Sequence, residues 1–141
     1  MDLPPGYTLH PEAPDVESYR RLRAVSGLTP RSAAAAEAGL PHGVHAVTIR
    51  HQQRAVGMGR IVGDGALFLH IVDIAVDPAH QGRGLGKAVM AALMAHIRAH
   101  APAEVHVSLI ADGEARHLYA QFGFAPVMPD SIGMALWIKP D

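Results

Sequence analysis

The chain predicts a single α+β domain, mixed in its element order and built around one central sheet. Two observations carry that prediction. Hydrophobic residues make up 49% of 141 residues and are spread along the chain, with 18% charged, which suits one globular core. Strand-like and helix-like patterns also alternate in an order that no all-α or all-β domain would show. No internal repeat, low-complexity linker or shift of composition divides the chain, so residues 1–141 read as one domain.

Each element has a local reason. Tyr7–His10 follows a Pro/Gly-rich lead and reads as a short strand. Pro14–Ser26 reads as a helix, with Val16, Tyr19, Leu22, Arg23 and Val25 near one face and Gly27 closing it. An alanine-rich helix over Ser32–Ala38 stops at Gly39–Leu40–Pro41. His45–Arg50 alternates as a strand, Gln52–Gln53 offers a turn, and Ala55–Val62 continues as a second strand. Gly63–Asp64–Gly65 is a hairpin signal. Leu67–Val76 is a nearly continuous apolar run, the pattern of a strand buried on both faces. From Gly84 to His100, apolar residues recur at helical spacing and Pro102 lies just beyond. Glu104–Ile110 is a further strand. Asp112 suits the N-cap of a helix over Glu114–Phe122, which Gly123 ends. Phe124–Val127 and Ile132–Ile138 read as the last strands.

Composition excludes several functions. Twelve basic and 13 acidic residues give a formal charge of −1, without the basic excess of a dedicated nucleic-acid binder. No apolar run approaches the roughly 20 residues of a membrane span. Met1–Gly6 has no basic and apolar leader pattern, and the chain has no cysteine, so a cytoplasmic location is expected. Without cysteine there is no thiolate nucleophile or thiolate metal site. The ten histidines form no metal-ligand pattern; His96 and His100 share a helix face but lack the glutamate of a zinc-protease helix. No metal is expected.

Gln81-Gly82-Arg83-Gly84-Leu85-Gly86-Lys87 is the most informative stretch, set between a strand and an amphipathic helix. Glycines there let successive backbone N–H groups face an anion, and the helix N-terminus adds its dipole. Arg83 and Lys87 bring positive charge, so a pyrophosphate is the natural ligand. A Walker loop is excluded, because Gln81 stands where its first glycine belongs and Ala88 follows the lysine. The dinucleotide fingerprint fails too, since Lys87 and Val89 occupy its third glycine position in the two registers. A glycine-rich helix start without a ligand is the plain alternative.

Gln81-x-x-Gly84-x-Gly86 resembles the Q/R-x-x-G-x-G/A signature of the GNAT acetyltransferases. Val72–Pro78 resembles that family's fourth strand, and Asp112–Phe124, with Tyr119-x-x-x-Gly123-Phe124, resembles its later conserved segment. The resemblance covers Gly57 to Phe124 well and the N-terminal third by element order alone. It implies a single mixed, mostly antiparallel sheet flanked by about four helices. It further implies acetyl-CoA as cosubstrate, in a gap where the fourth strand splays from the fifth. Backbone groups of Ile74, Ala75 and Val76 would then pair with pantetheine like an added strand. An N–H near Ile74 would polarise the thioester carbonyl, and Gln81, Gly82, Arg83, Gly84, Leu85, Gly86 and Lys87 would hold the pyrophosphate. Asp112 stands where the family often has Asn contacting the pantetheine arm; a carboxylate can accept that bond but not donate one.

By the same resemblance, Tyr119 is the general acid for the departing thiolate; a core tyrosine is the alternative. Asp73, the one carboxylate inside the apolar fourth-strand run, is a possible base or water relay, or else a structural hydrogen-bond partner. His70 and Glu114 are lesser candidates for the base, and water is another. Direct transfer fits a chain with no cysteine. Ser26–Arg31 and Met128–Gly133 would select the acceptor, with Leu28, Met128, Ile132 and Met134 as apolar lining. A small-molecule amine is the first expectation, peptide or protein N-acetylation the second, and a silent acyl-CoA sensor the third. A homodimer is possible.

Overall fold

Backbone pairing gathers five strands in sequential order, β1 (Tyr7–His10), β2 (His45–His51), β3 (Arg54–Gly63), β4 (Phe68–Val76) and β5 (His106–Leu109), in a computed structural model that describes residues 2–139. β1 to β4 are antiparallel neighbours, and β5 joins β4 in parallel. The helices are α1 (Val16–Val25), α2 (Ala33–Gly39), α3 (Leu85–His100) and α4 (Arg116–Ala120). The mixed, mostly antiparallel sheet and its four helices are those expected, although sequential strand order is not legible from composition.

Two cores lie on opposite faces of the sheet. On one, Val89, Leu93 and Ile97 of α3 pack with Val47, Ile49, Ile61 and Ile71. On the other, Tyr19 and Leu22 of α1 and Ala36 of α2 pack with Ala55, Met58 and Ala75. The strand covered on both faces is therefore β3, buried from Ala55 to Ile61. This corrects the sequence expectation for β4, whose buried residues are Leu69, Ile71 and Ala75 only. Its half-buried positions face a cavity, as described below.

Gly59 explains how α3 comes so close. A Cβ there would stand 2.5 Å from Val89 Cγ1 and 2.7 Å from Ile74 Cδ1, so the glycine is what lets strand and helix meet. The β3–β4 hairpin is fixed by Asp64, whose Oδ1 accepts from the N–H groups of Ala66, Leu67 and Phe68 at 2.7–3.1 Å. Those bonds hold its carboxyl below the usual carboxylate range. His96 and His100 are not isolated on the surface of α3. His45 of β2 stacks on His96 at 3.7 Å between centroids, and His96 on His100 at 4.2 Å. Burial, then the neighbouring imidazoles, lowers the His45 pKa.

The C-terminal third departs most from expectation. Asp112 opens a 3-10 turn, Gly113–Ala115, without a side-chain cap bond, and α4 is only five residues long. The helix ends at its Gln121 C-cap, and Gly123, at φ 93°, closes the turn beyond it, with the Phe124 N–H donating to the Tyr119 carbonyl. Neither Phe124–Val127 nor Ile132–Ile138 forms a strand. Pro126 and Pro129 lack N–H donors for a ladder, and the later segment, rich in strand-forming side chains, has no neighbouring strand to pair with. Its side chains stay exposed, Met134 at 88% and Ile138 at 87%.

Candidate active site

The site begins where β4 and β5 part. Their parallel register runs from Phe68↔His106 to Ile71↔Leu109 and stops, leaving the β5-facing edge of Val72–Val76 without a partner strand. On the β3 side the register jumps from Arg60↔Val72 to Met58↔Ala75, so Asp73 and Ile74 together oppose Gly59. This is a β-bulge, and Asp73 takes the left-handed backbone conformation at φ 60°. A bulge bends a strand and re-aims its side chains, and here it occurs at the splay.

A cavity of about 360 Å³ fills the opening. Its walls include His70–Ile74 of β4, the loop after α1 at Gly27–Thr29, Asp112, Tyr119 and Trp137. Tyr119 is 9% exposed. Burial first, and the Asp112 carboxylate second, push its phenol above the ordinary value, so it is protonated at neutral pH. The His70 Nδ1 lies 2.9 Å from Ser108 Oγ, across the paired part of β4 and β5. Glu114 pairs instead with His117 on the surface, at 2.8 Å.

Asp73 is held on all sides. Arg23 Nη1 donates to its Oδ1 at 2.6 Å, while Arg60 Nη1 and the Tyr19 hydroxyl donate to its Oδ2 at 2.9 and 3.0 Å. The carboxylate is 6% exposed, the two arginine side chains 7% and 10%. Burial, then this carboxylate, raises the Tyr19 pKa. Sequence reading placed Arg23 on the buried face of α1 but gave no sign of this four-residue cluster.

At the far end of β4, Gln81 Nε2 donates to the Val76 carbonyl at 3.1 Å, tying the glycine turn to the strand. Its side chain is thus a brace for the turn. Gly82 and Gly84 both have φ 79°, and a Cβ on either would meet nothing within 4 Å. Gly84 is the N-cap of α3 and brings no side-chain cap bond, so the first N–H groups of a 16-residue helix face outward unblocked. Arg83 and Lys87 are exposed beside them, whereas Leu85 is in the core and offers only its backbone. Tyr7 of β1 fixes the approach to the turn, its hydroxyl 2.8 Å from His80 Nδ1. These groups fit a pyrophosphate, and the open β4 edge fits an amide-bearing chain.

Ile74 and Val76 are half-buried along that edge; Ala75 points away, into the core beneath α1. Leu28 lines the cavity as expected. Met128, Ile132 and Met134 do not, because the segment carrying them runs unpaired along the surface. Trp137 supplies the apolar wall instead, with the Arg31 guanidinium 4.4 Å from its ring centroid. A wider groove of about 780 Å³ lies between β1 and the alanine face of α3. It shares no lining residue with the cavity at the β4 opening.

Residues 24–138 match the family described as Acetyltransferase (GNAT) domain. The chain is similar to SA2161 from meticillin-resistant Staphylococcus aureus ("Probable Acetyltransferase"), at 41% identity and a TM-score of 0.90, over 94% of this chain and 99% of that one. It is 36% identical over 87 residues to Histone acetyltransferase TAP1 of Glycine max, covering 61% of this chain and 36% of the relative. With Serotonin N-acetyltransferase 2, chloroplastic, of Oryza sativa subsp. japonica it shares 38% over 85 residues, 60% of this chain and 41% of the relative. The chain thus spans well under half the length of these two plant relatives.

Proposed function

The chain belongs to the GNAT acetyltransferase family, and from that premise we propose that it moves an acetyl group from acetyl-CoA to a primary amine of a small molecule. The observation that carries this reading is the alignment of three features along β4: the unblocked glycine turn, the open strand edge and the Tyr119 cavity. The cavity falls within the size range of small-molecule sites, about 300–1,000 Å³. That favours a small acceptor over a protein segment, although one plant relative is named for histones and another for serotonin.

Acetyl-CoA, when bound, supplies an activated thioester whose acyl carbon passes to the amine nitrogen. The residues of this chain hold it and manage protons. N–H groups of Gly82–Lys87 receive the pyrophosphate, with Arg83 and Lys87 adding charge. The backbone of Ile74 and Val76 along the open edge would pair with pantetheine, and an N–H at the bulge near Ile74 would polarise the acyl carbonyl. Tyr119 Oη holds the proton required by the departing sulfur, and Asp112 helps to keep it there.

Asp73 is better suited to positioning than to accepting a proton, because three donors already occupy its oxygens. His70 takes the acceptor role in this reading. Ser108 engages Nδ1, leaving Nε2 for the ammonium proton of the incoming amine. His70→Gln is expected to lower kcat/KM for the amine about tenfold at neutral pH, with a smaller loss as pH rises and more amine is free. An unchanged pH profile would assign the proton to water.

A cofactor measurement tests the whole reading. At concentrations near 100 times Kd, CoA should add about 2.7 kcal/mol of stability, raising Tm on the order of 5–10 °C for a domain this size. ATP and NAD should do much less. An ATP shift equal to that of CoA would remove acetyl-CoA from the proposal, and absence of CoA release with every amine would reduce the chain to a sensor.

A further inference from the structure

Three arginines line the two cavities beside β4, and one carboxylate serves two of them. Arg23 and Arg60 are both buried and both paired to Asp73. Arg31 is the third; among the described residues no carboxylate forms an ion pair with it. Asp112 is the other acid on the larger cavity, on its Tyr119 side. A second chamber, about 210 Å³, lies under α2 and shares Arg31, Val72 and Asp73 with that cavity. Arg60 and Tyr19 line it, with Ala35, Ala36 and Gly39 supplying small walls. The Arg60 Nε is buried with no hydrogen-bond partner among the described residues.

Two buried guanidiniums around one buried carboxylate, with the half-buried Arg31 beside them, make an excess of positive charge that is unfavourable unless something neutralises it. The small walls leave room for such a group, and two guanidiniums, with their planar arrays of donors, suit carboxylate or phosphate oxygens. We propose that the acceptor amine carries an anionic group, a carboxylate or a phosphate, which lodges between Arg31 and Arg60 while its amine lies in the larger cavity against β4. This inference rests on the acetyl-transfer reading for the amine, but the anion chamber stands on its own charges. Trp137 backs the Arg31 guanidinium and so keeps it at the junction of the two chambers.

The test compares matched acceptors: glycine, β-alanine and 4-aminobutyrate against the amino alcohols of the same lengths, with 2-aminoethyl phosphate as the phosphate arm. The best anionic acceptor is expected to exceed its neutral counterpart in kcat/KM by about tenfold to a hundredfold, the range of a charge-assisted hydrogen bond. Arg31→Gln should abolish most of that ratio, and Arg31→Lys should restore part of it, with the Kd for acetyl-CoA within a few-fold of wild type. Arg60→Gln is a weaker instrument because it also strips a partner from Asp73. Equal use of neutral and anionic amines, or a ratio indifferent to Arg31→Gln, overturns the proposal.

Calorimetry of the CoA-loaded protein with glutarate and with inorganic phosphate separates the two readings. Arg31-dependent binding of either anion without turnover of any amine supports the chamber and sinks acetyl transfer. Turnover of neutral amines with no Arg31-dependent anion binding does the reverse.

Discussion

Asp73→Asn is expected to lower unfolding free energy by about 3–5 kcal/mol, the cost typical of removing one partner from a buried ion pair. The amide keeps one acceptor oxygen but turns two N–H donors toward guanidiniums that are themselves donors. Arg23 and Arg60 then remain buried around a neutral group. Since small domains have only about 5–15 kcal/mol in total, the loss should appear as a Tm lower by on the order of 10–20 °C. A residue whose main task was to accept a proton would show the opposite balance, a large fall in kcat at nearly unchanged Tm.

A compensated variant sharpens the test. Adding Arg23→Met and Arg60→Met to Asp73→Asn removes every buried charge of the cluster at once and keeps at position 73 a residue that tolerates the left-handed backbone, a change that is often neutral or stabilising elsewhere. It should recover most of the lost Tm. Chemical denaturation of the three proteins, with midpoints and slopes compared, reads this directly. An Asp73→Asn protein within about 1 kcal/mol of wild type, below the usual range for such a loss, would mean that the cluster is not an anchor.

What could be read in the sequence follows from the range of the interactions involved. The glycine turn was legible because left-handed backbone at Gly82 and Gly84 is a property of the residues themselves. The same holds for the Asp64 hairpin and for the left-handed turn at Gly123. Asp73 stood out as a carboxylate in an apolar run, but its partners lie 50, 54 and 13 residues away in Arg23, Tyr19 and Arg60. Only the fold brings them together, and so the sequence left Asp73 between a possible base or water relay and a structural hydrogen-bond partner. Ser108 meets His70 for a similar reason, through the parallel register of β4 and β5. The signal for it was present but faint: a serine in a predicted strand. The last strands failed differently. Ile132–Ile138 has the side chains of a strand, but a strand exists only where another backbone pairs with it. Trp137 was the one large aromatic of that segment, and its contact with Arg31 is a tertiary fact that periodicity could not supply.

Tyr119→Phe is the second large effect expected, and it bears on the chemistry itself. The change removes one oxygen and keeps the ring, so the packing of Tyr119 in the core should survive with little loss. Tyr119 is buried, and its phenol is held protonated by burial and by the Asp112 carboxylate. If its proton goes to the departing sulfur, the hydroxyl acts mainly in the transition state, so kcat and kcat/KM should fall together. General acids contribute about 10²–10⁴-fold, but a thiolate leaves readily even unprotonated, so a loss on the order of 10–10²-fold is expected. Affinity for acetyl-CoA, measured by calorimetry, should stay within a few-fold. Asp112→Asn supplies the companion result: with the carboxylate charge gone, the tyrosine pKa should move down toward its ordinary value, and the alkaline limb of the rate profile should move down with it. Single-turnover measurement is required, because slow product release would hide a slower chemical step. A folded Tyr119→Phe enzyme with full single-turnover rates would refute the acid role and leave Tyr119 as a packing residue of the cavity wall.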